Sequence, residues 1–135
     1  TARASDPQLK RDEQVAADPA SSVSPNAQAF IQRITGCQRV GSTGWKHLWA
    51  GTWGSSNKGW VLGFSPSQGW AVGWENPNGS KGSAPIDVSS IATSGNTSSF
   101  RSGAFTFTVT FTSGTNFRGS WSGPGSGTIN YVTCG

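Results

Sequence analysis

The chain has no methionine, one histidine, one tyrosine, two cysteines and six acidic residues in 135, and each shortage removes a class of explanation. Catalysis needs positioned acids, bases or nucleophiles, and past residue 40 the candidates come down to His47, Glu75, Asp87, Tyr131 and scattered hydroxyls. A Ser/His/Asp set built on His47 and Asp87 has no nucleophile-elbow spacing behind it. Glu75 and Asp87, taken as a glycosidase pair, read more simply as solvated strand ends. We therefore read a non-catalytic protein. Two cysteines and one histidine do not complete a four-ligand zinc centre, and neither metal nor cofactor is expected. No apolar run is long enough for a transmembrane helix. With no initiating methionine, the chain reads as a mature product after signal cleavage.

Charge runs are missing too. Residues 1–35 carry four basic and four acidic residues, and the remainder carries six basic against two acidic. That excess could draw acidic glycans, lipid headgroups or nucleic acid. Arg39, Lys46, Lys58, Lys81, Arg101 and Arg118 nevertheless stand singly, as solubilising cations do. They form no phosphate track among aromatics, so nucleic acid is not an expected partner.

What the chain has is glycine, tryptophan and phenylalanine: 19, 7 and 7 residues. From Gly103 to Thr112 apolar and polar residues alternate, which as a strand puts Phe105, Phe107, Val109 and Phe111 on one face and the threonines on the other. A helical period would scatter those phenylalanines around the circumference. The row of Thr106, Thr108, Thr110 and Thr112 resembles one rung of an ice-binding array, yet a single row is better read as a solvated face with cross-strand hydroxyl contacts.

The same period of two recurs upstream and downstream. It groups Trp49 with Trp53, then Trp60, Leu62 and Phe64, then Trp70, Val72 and Trp74, with turns at 54–59, 65–69 and 76–79 that are rich in Gly, Pro, Asn and Ser. A weaker strand over 85–91 carries Ile86 and Val88, and 92–99 reads as a loop. Phe117 to Ser122 and Thr128 to Cys134 complete the set, the last with Ile129 and Tyr131 on one face and Val132 and Cys134 on the other. Gly51, Gly63, Gly73 and Gly119 mark places where a barrel bends or an indole lies over backbone.

Short turns between antiparallel strands predict a closed structure without exposed edges. The expected fold is all-β, a single antiparallel up-and-down barrel or closed sandwich of about seven to eight strands over 36–135. Ahead of it, residues 24–35 read as a short helix: Ser24 can cap, Pro25 suits the first turn, and Ala27, Phe30, Ile31 and Ile34 form one apolar stripe expected to cover an open end or edge of the sheet. Residues 1–23 have no periodicity that buries a face and read as an extended arm. Cys37 and Cys134 bracket the barrel and read as a structural disulfide, hence an oxidising, extracytoplasmic compartment, periplasmic or secreted. The sequons at Asn78 and Asn96 matter only in a eukaryotic source.

Gly51-Thr52-Trp53 resembles the Gly-x-Trp signature of lipocalin and avidin-like barrels, and Gly69 to Trp74 and Gly119 to Gly123 are similar to avidin-like strands. The resemblance implies an up-and-down barrel that binds rather than catalyses, with Arg118 as the late-strand arginine that would pack on the signature tryptophan.

Two functions follow as expectations. The first is a structural subunit that docks into a larger protein assembly, free or membrane-associated, through its arm, with Leu9, Lys10, Arg11 and Val15 as the contact residues. The second is a carbohydrate- or small-ligand-binding module. Indole faces stack on sugars, and Trp45, just ahead of the first regular strand, is the tryptophan expected to be exposed, with Lys46 and Arg118 as polar neighbours. The other six tryptophans read as core.

Overall fold

The computed structural model describes residues 24–55 and 57–134. One helix, α1 (Pro25–Thr35), precedes eight strands: β1 (Lys46–Trp53), β2 (Lys58–Ser65), β3 (Gly69–Glu75), β4 (Lys81–Ser94), β5 (Thr97–Ser102), β6 (Phe105–Phe111), β7 (Asn116–Ser122) and β8 (Ser126–Cys134). Each strand pairs antiparallel with the next, and β8 pairs back on β1, so the sheet is a closed up-and-down barrel. Apolar side chains fill the interior, while β6 turns Thr106 and Thr110 outward. Thr110 and Thr97 meet across the outer face at 3.0 Å, as expected of cross-strand hydroxyls.

Ser24 caps α1 by accepting from the Ala27 amide at 3.2 Å. Ala27, Phe30, Ile31 and Ile34 are all buried. They close the barrel end formed by the start of β1 and the ends of β4 and β6: Phe30 packs on Phe100 and Phe111 at 5.3 and 6.4 Å between ring centroids. Trp49 Nε1 donates to the Ile34 carbonyl at 3.1 Å, and Thr93 Oγ1 donates to the Asn26 carbonyl at 2.8 Å. The stripe is therefore a plug. At the same end the disulfide Cys37–Cys134 ties the chain entering the barrel to its last strand, 97 residues later.

Three strands depart from the sequence reading. The segment 92–99 is not a loop: β4 runs to Ser94, and a tight turn with Gly95 at φ 61° leads into β5. The interior positions of β5 are Ser98, Phe100 and Ser102, a row with one large apolar residue and therefore a faint alternation signal. On β4, Asp87 pairs with Arg101 but Ala92 with Ser99. The surplus residues form a bulge, in which Asp87 Oδ1 accepts from the Ser89 hydroxyl at 2.6 Å. Ile91, rather than Val88, is thereby buried with Ile86.

The third departure is on β8. Thr52 pairs with Asn130 and Ala50 with Thr133, so two residues stand opposite Gly51. The bulge puts Tyr131 at φ 30° and turns it outward, 64% exposed, while Val132 enters the core beside Ile129. It also brings the β8 backbone hard against β1: a Cβ on Gly51 would lie 2.8 Å from the carbonyl oxygens of Asn130 and Tyr131. The glycine of Gly51-Thr52-Trp53 is required by this close approach.

Candidate functional site: an aromatic cup at the open mouth

In an up-and-down barrel the ends of odd strands and the starts of even strands share one rim. Opposite α1, that rim receives Trp53, the last residue of β1, Trp60 near the start of β2, Trp74 near the end of β3, Phe105 at the start of β6 and Trp121 near the end of β7. Strand alternation turns all five inward. With Phe107 one layer deeper and Asn76 just after β3, they line a cavity of about 150 Å³. An apolar cavity of this size holds one six-membered ring.

The rings brace one another edge to face. Trp53 meets Trp121 at 5.6 Å and 75°, Phe105 meets Trp121 at 5.6 Å and 81°, and Trp74 meets Phe105 at 5.9 Å and 69°. Such pairs add about 0.5–1.5 kcal/mol beyond burial. Two of the indoles lie across glycines on the neighbouring strand. A Cβ on Gly82 would sit 2.7 Å from Trp74, and one on Gly127 would sit 2.7 Å from Trp121 Nε1. Paired glycines thus let bulky rings lie flat at the rim.

Three of the four indole N–H groups of the cup, those of Trp53, Trp60 and Trp121, are bonded to protein or covered by it. Trp53 Nε1 donates to the Glu75 carbonyl at 2.9 Å. Among the described residues Trp60 Nε1 and Trp121 Nε1 are buried without a hydrogen-bond partner. The Asn76 amide donates to Ser80 Oγ at 3.1 Å. The cup therefore offers ring carbon to a guest and almost nothing that hydrogen-bonds.

The sequence-nominated residues lie elsewhere. Trp45 is half-buried, as Trp53, Trp74 and Trp121 are, but lies on the outside of the barrel, against Gly63 and Gly73. Lys46 begins β1 at the plugged end. Arg118 points outward from β7 with its guanidinium 5.2 Å from the centroid of the Tyr131 ring, whereas Trp53 packs on Trp121 at the opposite rim. None of the three lines the cup. Leu9, Lys10, Arg11 and Val15 lie outside the described residues. His47 Nδ1–H donates to the Cys37 carbonyl at 2.8 Å, and the ring stacks on Trp70 at the plugged end. Glu75 closes β3 at the open rim, and Asp87 serves the β4 bulge and an exposed 3.7 Å ion pair with Arg101.

Of the six tryptophans read as core, Trp49, Trp60 and Trp70 are buried, while Trp53, Trp74 and Trp121 are only half-buried at the mouth. The signal that separates them was position along the strand. Compared with known proteins, the chain matches no protein-family model, no curated protein and no solved structure.

Proposed function

We propose that the protein is a non-catalytic binding module that holds the compact head of a small molecule in the aromatic cup. The observation that carries the reading is one cavity lined by four tryptophans and two phenylalanines, at the barrel end that the helix leaves open. A fold needing only a core would bury these rings. Here three of the four indoles keep partial exposure around a cavity, which is the usual form of a ligand site. The disulfide supports an extracytoplasmic place of action.

Tryptophan fluorescence tests the reading directly. Compact probes such as toluene, cyclohexanol, 3,3-dimethylbutan-1-ol and choline are titrated into the protein and into Trp74→Ala. At least one should shift or quench the emission saturably, and the variant should lose about tenfold in affinity while keeping its melting temperature within a few degrees, since one rim indole supplies on the order of 1–2 kcal/mol. Emission that ignores every probe, or responds identically in the variant, would sink the reading.

The composition of residues 1–23, charge-balanced and without an apolar period, favours a second role beside this one, docking into a larger assembly. Deleting 1–23 should abolish incorporation into that assembly in the native source while leaving the melting temperature of the barrel unchanged. Undiminished incorporation of the truncated chain would refute it.

A further inference from the structure

We propose that the head group taken by the cup is a quaternary ammonium. The inference rests on reading the cup as the binding site and goes further, to the chemistry of its guest. Its first support is the choice of wall. Six of the seven lining side chains are aromatic, and no aliphatic side chain among the described residues lines the cavity. The barrel has aliphatic residues to spare: Leu62, Val72, Val109, Ile129 and Val132 are fully buried. A neutral hydrocarbon would be served equally well by such residues. Indole rings differ in their quadrupole, which attracts a cation and does so best in tryptophan.

The second support is where the indole N–H groups go. The Trp53 donor is spent on the Glu75 carbonyl, and the Trp60 and Trp121 donors are covered by protein. N–H groups at the cavity surface would favour an anion or a hydroxyl and oppose a cation. With these three withdrawn, a saccharide would surrender the hydration of several hydroxyls and regain little beyond Asn76, and unpaired polar groups are costly to bury. No cationic side chain among the described residues lines the cavity to hold a carboxylate.

The third support is size and hydration. A cavity of about 150 Å³ accommodates a trimethylammonium group. A primary ammonium would lose its own hydrogen bonds to water there, whereas a fully alkylated nitrogen has none to lose. Residues 24–134 carry seven basic and two acidic residues, so the long-range field opposes the guest and short-range ring contact must hold it. Added salt screens that field. Affinity should therefore hold or rise between low and physiological ionic strength, the reverse of an anion site.

The experiment compares choline with 3,3-dimethylbutan-1-ol, its neutral isostere, and with 3,3-dimethylbutanoate, by calorimetry and tryptophan fluorescence. Choline should bind about tenfold tighter than the neutral isostere, a difference of cation–π size, and the carboxylate should not bind. Trp74→Leu keeps an apolar wall and removes the ring, so it should erase the choline preference while retaining the neutral probe. Trp53→Leu is the second variant if the first folds poorly. A free trimethyllysine side chain and phosphatidylcholine vesicles, compared at equal head-group concentration, identify the source of the group. Equal or tighter binding of the neutral isostere overturns the ammonium assignment and leaves the cup as a site. Failure of all these probes, with no response to toluene or cyclohexanol either, overturns both.

Discussion

Replacing Cys37 and Cys134 with serine is expected to lower stability by about 4–5 kcal/mol, because the bridge closes a loop with a sequence separation of 97 and removes that much chain entropy from the unfolded state in the loop-closure model. Typical domains have about 5–15 kcal/mol in all, so the melting temperature should drop on the order of 15 °C. The bridge joins the plugged end, where Cys37 is buried beneath the helix and Cys134 ends β8. The loss should therefore appear first as exposure of the Trp49 region. Intact-mass measurement of the native protein should fall two hydrogens short of the dithiol value. A serine variant that melts within a few degrees of wild type would show that the plug holds without its tie.

Phe30→Ala should cost about 3–5 kcal/mol, the range for deleting a fully buried aromatic side chain. Phe30 is 1% exposed and is the ring through which α1 reaches Phe100 on β5 and Phe111 on β6. Its loss leaves a cavity that rigid strands cannot collapse, and it loosens the helix. An isolated helix of 11 residues is not stable without packing. Helical signal and barrel stability should fall together in equilibrium denaturation, with Phe30→Leu recovering a large part of the loss. A cost below 1 kcal/mol would mean that α1 rests on the barrel without sealing it.

The inward faces of β2, β3 and β6 were legible because Trp60-Leu62-Phe64, Trp70-Val72-Trp74 and Phe105-Phe107-Val109-Phe111 keep strict alternation on undistorted strands. The helix was legible because cap, proline and apolar stripe agree. β5 was not, because buried Ser98 and Ser102 find partners inside the barrel, Ser102 Oγ donating to the Ala84 and Pro85 carbonyls at 3.0 and 2.9 Å, and buried serines look like loop in a sequence. Tyr131 and Val132 exchanged faces because one bulge inverts every later position, and nothing local announces it. The cup was hidden for a different reason. Alternation assigns a side chain to the inner face but does not say at what height, and the distinction between core and cup among the tryptophans is height alone.

The helix stops one end of the barrel, and Trp60, Phe107 and Phe117 fill its waist. Among the described residues the barrel is therefore stopped at one end and opens through the cup at the other. On the proposed binding role, a guest would enter and leave past the three half-buried indoles Trp53, Trp74 and Trp121, and would insert only as far as Trp60 and Phe107, where the packed interior begins. A site of that form would read termini. A long molecule can be gripped by its end, with the rest trailing in solvent, but not threaded or held at its middle. Selection among natural guests would then turn on what a chain ends in, and chains that share a terminal group would compete whatever their length.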